Sequence, residues 1–513
     1  MVTLPALTIL LDTNVVIALE PFAGDLESRH GVLAEVVRTA RDNHHRVVVH
    51  PANRDDLLET TDDRHRAQNL AALVKYTEIA EPDISNELKE LAGESPHGSN
   101  DERDLRLLAA VEAGAATHLV TEDSRLRRRA ARAGLGEQVI SGKQALELLR
   151  QLHPLDPPPP PSVELIDASR LDLSETIFAS LREDYLEFDH WIKKVAREGN
   201  GRRTWVVRDS EGHYRAIAIV KVLDDHPLVP GAKATKLSTF KVHSESEGEK
   251  LGELLLKTVL TWAHQALVDS LFVTVLDDES KQALIYFLGI FGFQRGNRMP
   301  GTTNEFVYFK HFRPDGDIRR TPLQHHILFG PPAILGTASV FVVPVIPRWY
   351  EGLFPDAPSV GSFGQVSLGG LLTETQPFGN ALRKAYLSNS NTSEMEPGST
   401  ILFYRSSGAG GAGGVHAVGV VEKTVRSSNP AEIVAAVGRR TVYTADDVAR
   451  MCKDDKERPR EVLAILFRQD RFVTEPWTLP VLKQHRVLNG APQTITKVRS
   501  EEGIQWVHRQ LGE

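Results

Sequence analysis

Residues 7–14 read LTILLDTN, an almost wholly apolar run that ends in Asp12 and Asn14. Four to five apolar residues without alternation suit a strand buried on both faces, which is the habit of parallel sheets. Three more short apolar runs follow: RVVVHP (46–51), THLVTEDS (117–124) and QVIS (138–141). Segments with helical apolar spacing, Asp104–Ala113 and Lys143–Gln151, fall between them. That alternation predicts a parallel α/β/α sheet. In such sheets ligands sit beyond the carboxyl ends of the strands, so Asp12 and Asp123 are expected at one edge. Asp55 and Asp56 follow the second strand, and Asp101 and Asp104 open the helix before the third. Carboxylates converging without basic partners repel one another. A bound divalent cation relieves this, and oxygen-only donors favour Mg²⁺ or Mn²⁺. Taken singly, Asp55 and Asp101 are also ordinary helix-start acids.

The strings LLDTN (10–14), HPANRDDLLE (50–59), NDERDLRLLAAVEAGA (100–115) and HLVTED (118–123) resemble the successive acidic motifs of PIN-domain nucleases, over nearly all of residues 6–150. The resemblance implies a metal-dependent endoribonuclease. Asp12 matches the family's first acid and Asp123 its last, with Thr121 as the hydroxyl residue beside it. Asp56 matches the second, with Asp55 as rival. Asp104 matches the third, with Asp101 close behind. Many such nucleases are bacterial toxins, so a separately encoded antitoxin is the implied partner, and the family often forms homodimers. Directly after Asp123, the string SRLRRRAARAG (124–134) places Arg125, Arg127, Arg128, Arg129 and Arg132 on one helix. Guanidinium groups beside the acidic edge are expected to hold RNA phosphates, although a solvated helix face has the same composition.

The chain has 513 residues, 41% hydrophobic and 25% charged, with net charge -8 and a single cysteine, Cys452. One core seldom grows past about 250–300 residues, so several domains are expected. The negative charge argues against a surface wholly devoted to nucleic acid. One cysteine excludes an intramolecular disulfide and a cysteine-cluster zinc site, and suits a cytoplasmic setting. The apolar run 327–349 is broken by Pro and Gly and reads as loop plus core strand, with no membrane span expected. PLDPPPPP (154–161) predicts a stiff, extended linker. A weaker linker is expected at 316–335. The cuts give domains at 1–153, 162–315 and 336–513. GAGGAGG (408–414) is expected as a hairpin loop.

Region 162–315 carries the strands TWVVRDSEGHYRAIAIVKV (204–222, two strands and a turn), KLSTFKVH (236–243), LFVTVLDD (271–278) and EFVYFKHF (305–312). SESEGEKLGELLLKTVLTWAHQAL (244–267) supplies a loop and an amphipathic helix. This order resembles the GCN5-related N-acetyltransferase (GNAT) α+β fold, which implies acetyl-CoA as cofactor, its pyrophosphate held by Gly248, Lys250 and Gly252 at a helix N-terminus. Two departures weaken the resemblance. Glu247 is acidic where the family has Gln or Arg, and Lys250 replaces a glycine. The family's tyrosine position falls on Leu288, and Tyr286 lies about 200° away around a helix.

Region 336–513 carries short strands: SVFVVPVIPRWYEGLFPD (339–356), PGSTILFYRSS (397–407), HAVGVVEKTV (416–425) and REVLAILFRQ (460–469). They resemble the PUA-like superfamily, in its ASCH and EVE branches, and imply a small β-barrel that binds RNA. Tyr404, Arg405 and Arg468, beside Phe403, Ser406 and Phe467, offer the stacking and cationic groups a base pocket needs. The combined expectation is an endoribonuclease cutting structured RNA such as tRNA. An acyl-CoA-dependent N-acetyltransferase, or a non-catalytic RNA-binding assembly, is the alternative.

Overall fold

The structure, a computed structural model, describes residues 6–19, 28–153, 163–198, 201–209, 211–225, 227–228, 233–246, 249–278, 281–302, 304–313, 320–357, 377–392, 394–407 and 413–512. The expected linker at 154–161, most of the 408–414 loop and Gly248 lie outside the described residues. The chain forms two compact units. One holds 1–156 together with 387–389 and 425–464, and the other holds 157–386, 390–424 and 465–513. No helix among the described residues is long and apolar enough to cross a membrane.

The first unit is built on five parallel strands, β1 (Thr8–Leu11), β2 (Arg46–Val49), β3 (Thr77–Glu78), β4 (His118–Val120) and β5 (Val139–Ile140), in the order β3-β2-β1-β4-β5. Around them run α1 (Thr13–Leu19), α2 (Ser28–Asp42), α3 (Pro51–Leu58), α4 (Asp63–Leu73), α5 (Asn86–Ala92), α6 (Asn100–Glu112), α7 (Ser124–Arg132) and α8 (Gly142–Leu152). The apolar run of β1 is buried throughout, as helices on both faces require. Leu10, Val48, Leu105, Leu108, Leu119 and Leu126 share one core. The strand order reverses at β1, so β1 and β4 flank the switch point where such sheets open a crevice.

The cut at 336 does not hold residues 425–464 with the rest of their region. They pack in the first unit, where the Arg440 Nε donates to Glu137 Oε1 at 3.0 Å. Gly438, at φ +50°, brings its backbone so close that a Cβ there would stand 3.0 Å from Glu137 Cβ. Asn389 Nδ2 donates to the carbonyls of Met451 and Glu461 at 2.9 and 3.1 Å.

The second unit contains a seven-stranded sheet of β6 (Val163–Ile166), β7 (Arg202–Arg208), β8 (Tyr214–Asp225), β9 (Lys233–Val242), β10 (Ser270–Leu276), β11 (Gln294–Arg298) and β12 (Glu305–His311), in the order β11-β12-β10-β9-β8-β7-β6. Its neighbours are antiparallel except β9 and β10. The helix Leu251–Gln265 covers this sheet with Leu251, Leu254, Leu255, Val259 and Leu260. A six-stranded mixed sheet follows, of β13 (Val340–Val345), β14 (Arg383–Ser388), β15 (Thr400–Arg405), β16 (Gly414–Ser427), β17 (Val462–Thr478) and β18 (Thr496–Lys497), in the order β14-β17-β16-β15-β13-β18. β13 and β15 are parallel. The expected closed barrel is therefore corrected to an open sheet among the described residues. β14 and β18 stand at opposite ends, and β18, two residues long, offers too little edge to close it.

A second correction concerns 316–335. Its described residues, 320–335, include a helix, Pro322–Phe329, where an irregular linker is expected. Thr321 and Gln324 form a capping box with Pro322 in the first turn, a signal present in the sequence. The buried Lys310 ammonium holds this helix by donating to the carbonyls of Ile327 and Leu328 at 2.8 and 3.0 Å, and to Phe291 O at 2.9 Å.

Candidate active site: an acidic cleft

A cleft of about 350 Å³ opens in the first unit. Asp12, Asp56, Asp101, Asp104 and Asp123 all line it. Asp12 follows β1 and Asp123 follows β4, the two strands at the switch point. Asp101 and Asp104 come from the first turns of α6, whose start is fixed by Ser99 accepting from Glu102 N–H. Asp56 comes from α3, which His50 and Asn53 cap reciprocally.

Asp12 is buried, 7% exposed, and every partner it has is neutral. Oδ1 accepts from the Thr13 N–H at 2.6 Å, and Oδ2 accepts from the Thr121 hydroxyl at 2.5 Å and from the Asn14 amide. Asn53 steadies the same corner by donating to Leu11 O and Thr13 Oγ1 at 3.1 and 3.2 Å. Burial pushes the Asp12 carboxyl up to about 6, and the charges of Asp56 and Asp123 add to this, against the pull of the Thr121 and Thr13 hydrogen bonds. Asp104 is pushed up to about 7, by burial first and then by Asp12 and Asp123. At Asp104, burial and the neighbouring acids outweigh the opposing pull of Arg129, which lines the same cleft. Asp123 has a second duty: its Oδ1 caps α7, accepting from the N–H groups of Arg125 and Leu126 at 2.6 and 3.4 Å.

Asp55, the rival of Asp56, does not line the cleft. It pairs with Arg106 Nη1 at 2.6 Å, one residue and about 100° further back around α3. Arg103, which the sequence reading passed over, does line the cleft and reaches Asp56 at 3.4 Å. The expectation of acids without basic partners is corrected for Asp55 and Asp56. Among the described residues, no three His, Cys, Asp or Glu side chains stand close enough to close around a metal ion.

The arginines of α7 divide. Arg125 and Arg132 are exposed and line the cleft. Arg128 is partly exposed, with Nη1 donating to Ser124 Oγ at 3.3 Å, and Arg127 donates to Thr121 O at 2.6 Å. Arg129, expected to grip RNA, is buried. Its guanidinium donates to the carbonyls of Ala92 (2.7 Å), Gly93 (2.6 Å) and Asp101 (2.5 Å) and to Ser95 Oγ (2.6 Å). A guanidinium so engaged ties the end of α5 to the start of α6 and has little left for a phosphate. Arg129→Ala is expected to cost about 3 kcal/mol of stability, because it strands buried carbonyls. Urea denaturation checks this; a loss under about 1 kcal/mol would return Arg129 to the surface role.

In the second unit, Lys250 and Gly252 stand at the start of the helix Leu251–Gln265. Lys250, at φ +62°, turns its ammonium to Glu253 Oε1 at 3.1 Å. Glu253 Oε2 accepts the N–H groups of Leu382 and Arg383 at 2.9 and 3.1 Å. The lysine expected to face a pyrophosphate is thus committed to a buried carboxylate. Leu288 is fully buried, and Tyr286 is 43% exposed.

The expected base pocket also changes. Tyr404 and Arg468 are buried, and Arg468 Nε lies 2.6 Å from Glu422, which Arg383 holds as well. Phe403 and Phe467 pack ring on ring, 4.6 Å apart, as core. Arg405 alone of the three keeps partial exposure, paired with Glu351 at 3.2 Å.

No family model matches the sequence, and no curated protein matches it. Solved structures show likeness to part of this chain. The ASCH protein of Zymomonas mobilis is 15% identical, with 33% of this chain and 94% of that chain covered and a TM-score of 0.24. A putative GNAT-family acetyltransferase of Desulfovibrio desulfuricans is 13% identical, over 30% and 99%, with a TM-score of 0.24. A GNAT-family acetyltransferase of Elizabethkingia anophelis with acetyl-CoA bound is 12% identical, over 29% and 97%, with a TM-score of 0.21. Each likeness spans a third of this chain or less.

Proposed function

We propose that the first unit is a divalent-metal-dependent endoribonuclease. The observation that carries the reading is the convergence of Asp12, Asp56, Asp101, Asp104 and Asp123 on one cleft at the switch point of a parallel sheet. The donors are all oxygen, the class that Mg²⁺ and Mn²⁺ take, and a cation would stabilise the raised Asp12 and Asp104 carboxyls; among the described residues no three of the acids stand together as a ready metal site, so a bound ion would have to draw them closer. When bound, the ion supplies a Lewis acid that eases the ionisation of water and offsets charge building on the phosphodiester. Thr121, Thr13 and Asn14 hold the Asp12 carboxylate in one orientation. Arg125 and Arg132, exposed at the rim, hold and orient the phosphate backbone. Arg405 in the second unit is a further RNA contact in this reading. The finer expectations, a structured RNA such as tRNA and a toxin's role restrained by an antitoxin, belong to the same proposal.

The test is incubation of total RNA with the full chain and Mn²⁺, with and without EDTA, beside Asp12→Asn. Metal-dependent ends, mapped by sequencing and absent from the variant, are the expected result. Equal cleavage by both proteins would remove the cleft from the mechanism. The acyl-transfer reading meets a contrary observation, the Lys250–Glu253 pair. Calorimetric titration with acetyl-CoA distinguishes it: tight binding, with acyl transfer surviving Asp12→Asn, would overturn the nuclease assignment.

A further inference from the structure

Residues 425–464 pack in the first unit, and beside them stands a buried histidine with nothing to bond to. His118, the first residue of β4, is 1% exposed. Neither its Nδ1 nor its Nε2 meets a hydrogen-bond partner among the described residues. A neutral imidazole carries one donor and one acceptor, so the ring leaves both unmet, and buried polar groups left in that state are uncommon. Arg439, brought in by residues 425–464, is buried as well, and its Nε has no hydrogen-bond partner among the described residues. Its neighbour Arg440 donates from Nε to Glu137 Oε1 at 3.0 Å. The segment thus brings two buried guanidinium groups to the end of the sheet where His118 sits.

The charges that act on this ring come from three other elements. Arg439 of the segment and His45, just before β2, disfavour a proton on it, while Glu137, in the turn before β5, favours one. Burial is the largest influence, and the ring is pushed down from 6.5 to about 4. His45 belongs to a second pair. Its Nδ1 accepts the Leu7 N–H at 3.3 Å, and its Nε2 lies 2.9 Å from Nε2 of His153, just past α8. Burial, then His153 and His44, push His45 down to about 4. His153 is lowered by burial against the pull of Asp446, from the helix Ala445–Met451. A charged His153 would attract Asp446 and hold the segment in place. His118, beside Arg439, is the imidazole whose charging pushes the segment away.

We propose that His118 is an acid-sensitive catch: when its ring takes a proton in mildly acid solution, residues 425–464 detach from the first sheet while the sheet itself stays folded. Protonation places an imidazolium without an acceptor beside a guanidinium, away from water that would screen either. Detachment returns the ring to solvent, where it holds the proton at its ordinary value. A base whose pKa is lowered by packing contributes stability above its free value, and that stability is lost as pH falls from 6.5 to about 4. The segment's helices, Pro430–Val437 and Ala445–Met451, are 8 and 7 residues long. Helices that short do not persist without packing, so detachment opens their backbone hydrogen bonds. The catch is independent of any metal ion or RNA at the acidic cleft.

Hydrogen exchange of the full chain at pH 7.5 and 5.0 tests this. It is read by mass spectrometry as protection factors, so that the intrinsic pH dependence of exchange cancels. At pH 5.0, peptides within 431–451 should lose about tenfold or more of their protection, while peptides spanning β1 and β4 keep theirs within about threefold. His118→Leu removes the titrating ring, and its 431–451 peptides should stay protected at both pH values. His118→Asn, which is polar and does not titrate, should do the same and covers the case in which Leu disturbs the sheet. Circular dichroism verifies that each variant is folded. Unchanged protection of 431–451 in the wild type at pH 5.0, an equal loss in β1 and β4, or the same acid-induced loss in both variants would overturn the proposal.

Discussion

Asp104→Asn is expected to lower metal-dependent RNA cleavage by roughly 10²-fold or more and, in EDTA, to raise the melting temperature. The two effects share one cause. Burial first, and then Asp12, Asp123 and Asp101, raise the Asp104 carboxyl from 3.8 to about 7, against the pull of Arg129. A carboxyl raised on folding keeps its proton in the native state, so the native state binds more protons than the unfolded chain between those values. Stability of the metal-free protein therefore falls as pH rises from about 4 to about 7, and the loss is complete above that window. Asn carries no such charge. In EDTA the variant should gain little over wild type near pH 4 and about 1–3 kcal/mol at pH 7.5, once solvent screening of a partly exposed group is allowed for. Adding Mn²⁺ should reverse the order, because binding to the native state stabilises wild type and leaves the variant unmoved. Asp12→Asn, at a group raised to about 6, should behave likewise over a window closing near pH 6. Thermal melts across pH 4–8, with EDTA or Mn²⁺, give the answer. A variant less stable than wild type in EDTA at pH 7.5 would show that Asp104 is held by favourable partners.

Glu253→Ala should be the most damaging single change in the second unit, at about 3–5 kcal/mol. Burial by itself raises this carboxyl, yet the net direction is downward, because Lys250 and the Arg383 N–H stabilise the charged form. Removing it leaves the Lys250 ammonium without its partner and strands the N–H groups of Leu382 and Arg383. Each is a group that water cannot readily reach. Glu253→Gln keeps an acceptor for both N–H groups and loses only the charge, so it should cost about half as much. A carboxyl depressed by folding contributes stability above its unfolded pKa of 4.5 and loses it as pH falls through the lower native value. The gap between wild type and Glu253→Gln should accordingly shrink on acidification. Urea midpoints for the three proteins at pH 7 and pH 4 measure this. Equal midpoints for Ala and wild type would mean that the segment around Leu382 is held by other contacts.

The strands of the first sheet and the acids at their ends were legible in the sequence. LTILLDTN and HLVTED announce themselves locally, as apolar runs long enough for one buried strand and stopped by a carboxylate. The capped helix Pro322–Phe329 was legible too, from Thr321, Pro322 and Gln324, and was passed over for a linker. Other features are beyond local patterning. Asp55 and Asp56 are adjacent and chemically alike; Arg106 and Arg103, some 50 residues on, part them. Arg129 looks like its four neighbouring arginines, and only the approach of the α5 carbonyls buries it. Whether β14 to β18 close into a barrel depends on which edges meet, and strand content is silent on that. Nor does composition reveal that residues 425–464 pack with the first unit, since the contact is made across 303 residues by Arg440 and Glu137. Sequence determined where carboxylates sit along strands and helices, because those positions follow from local hydrophobic period. Tertiary structure decided which of them remain uncompensated, because charge pairing acts through space and answers to distance rather than to order along the chain.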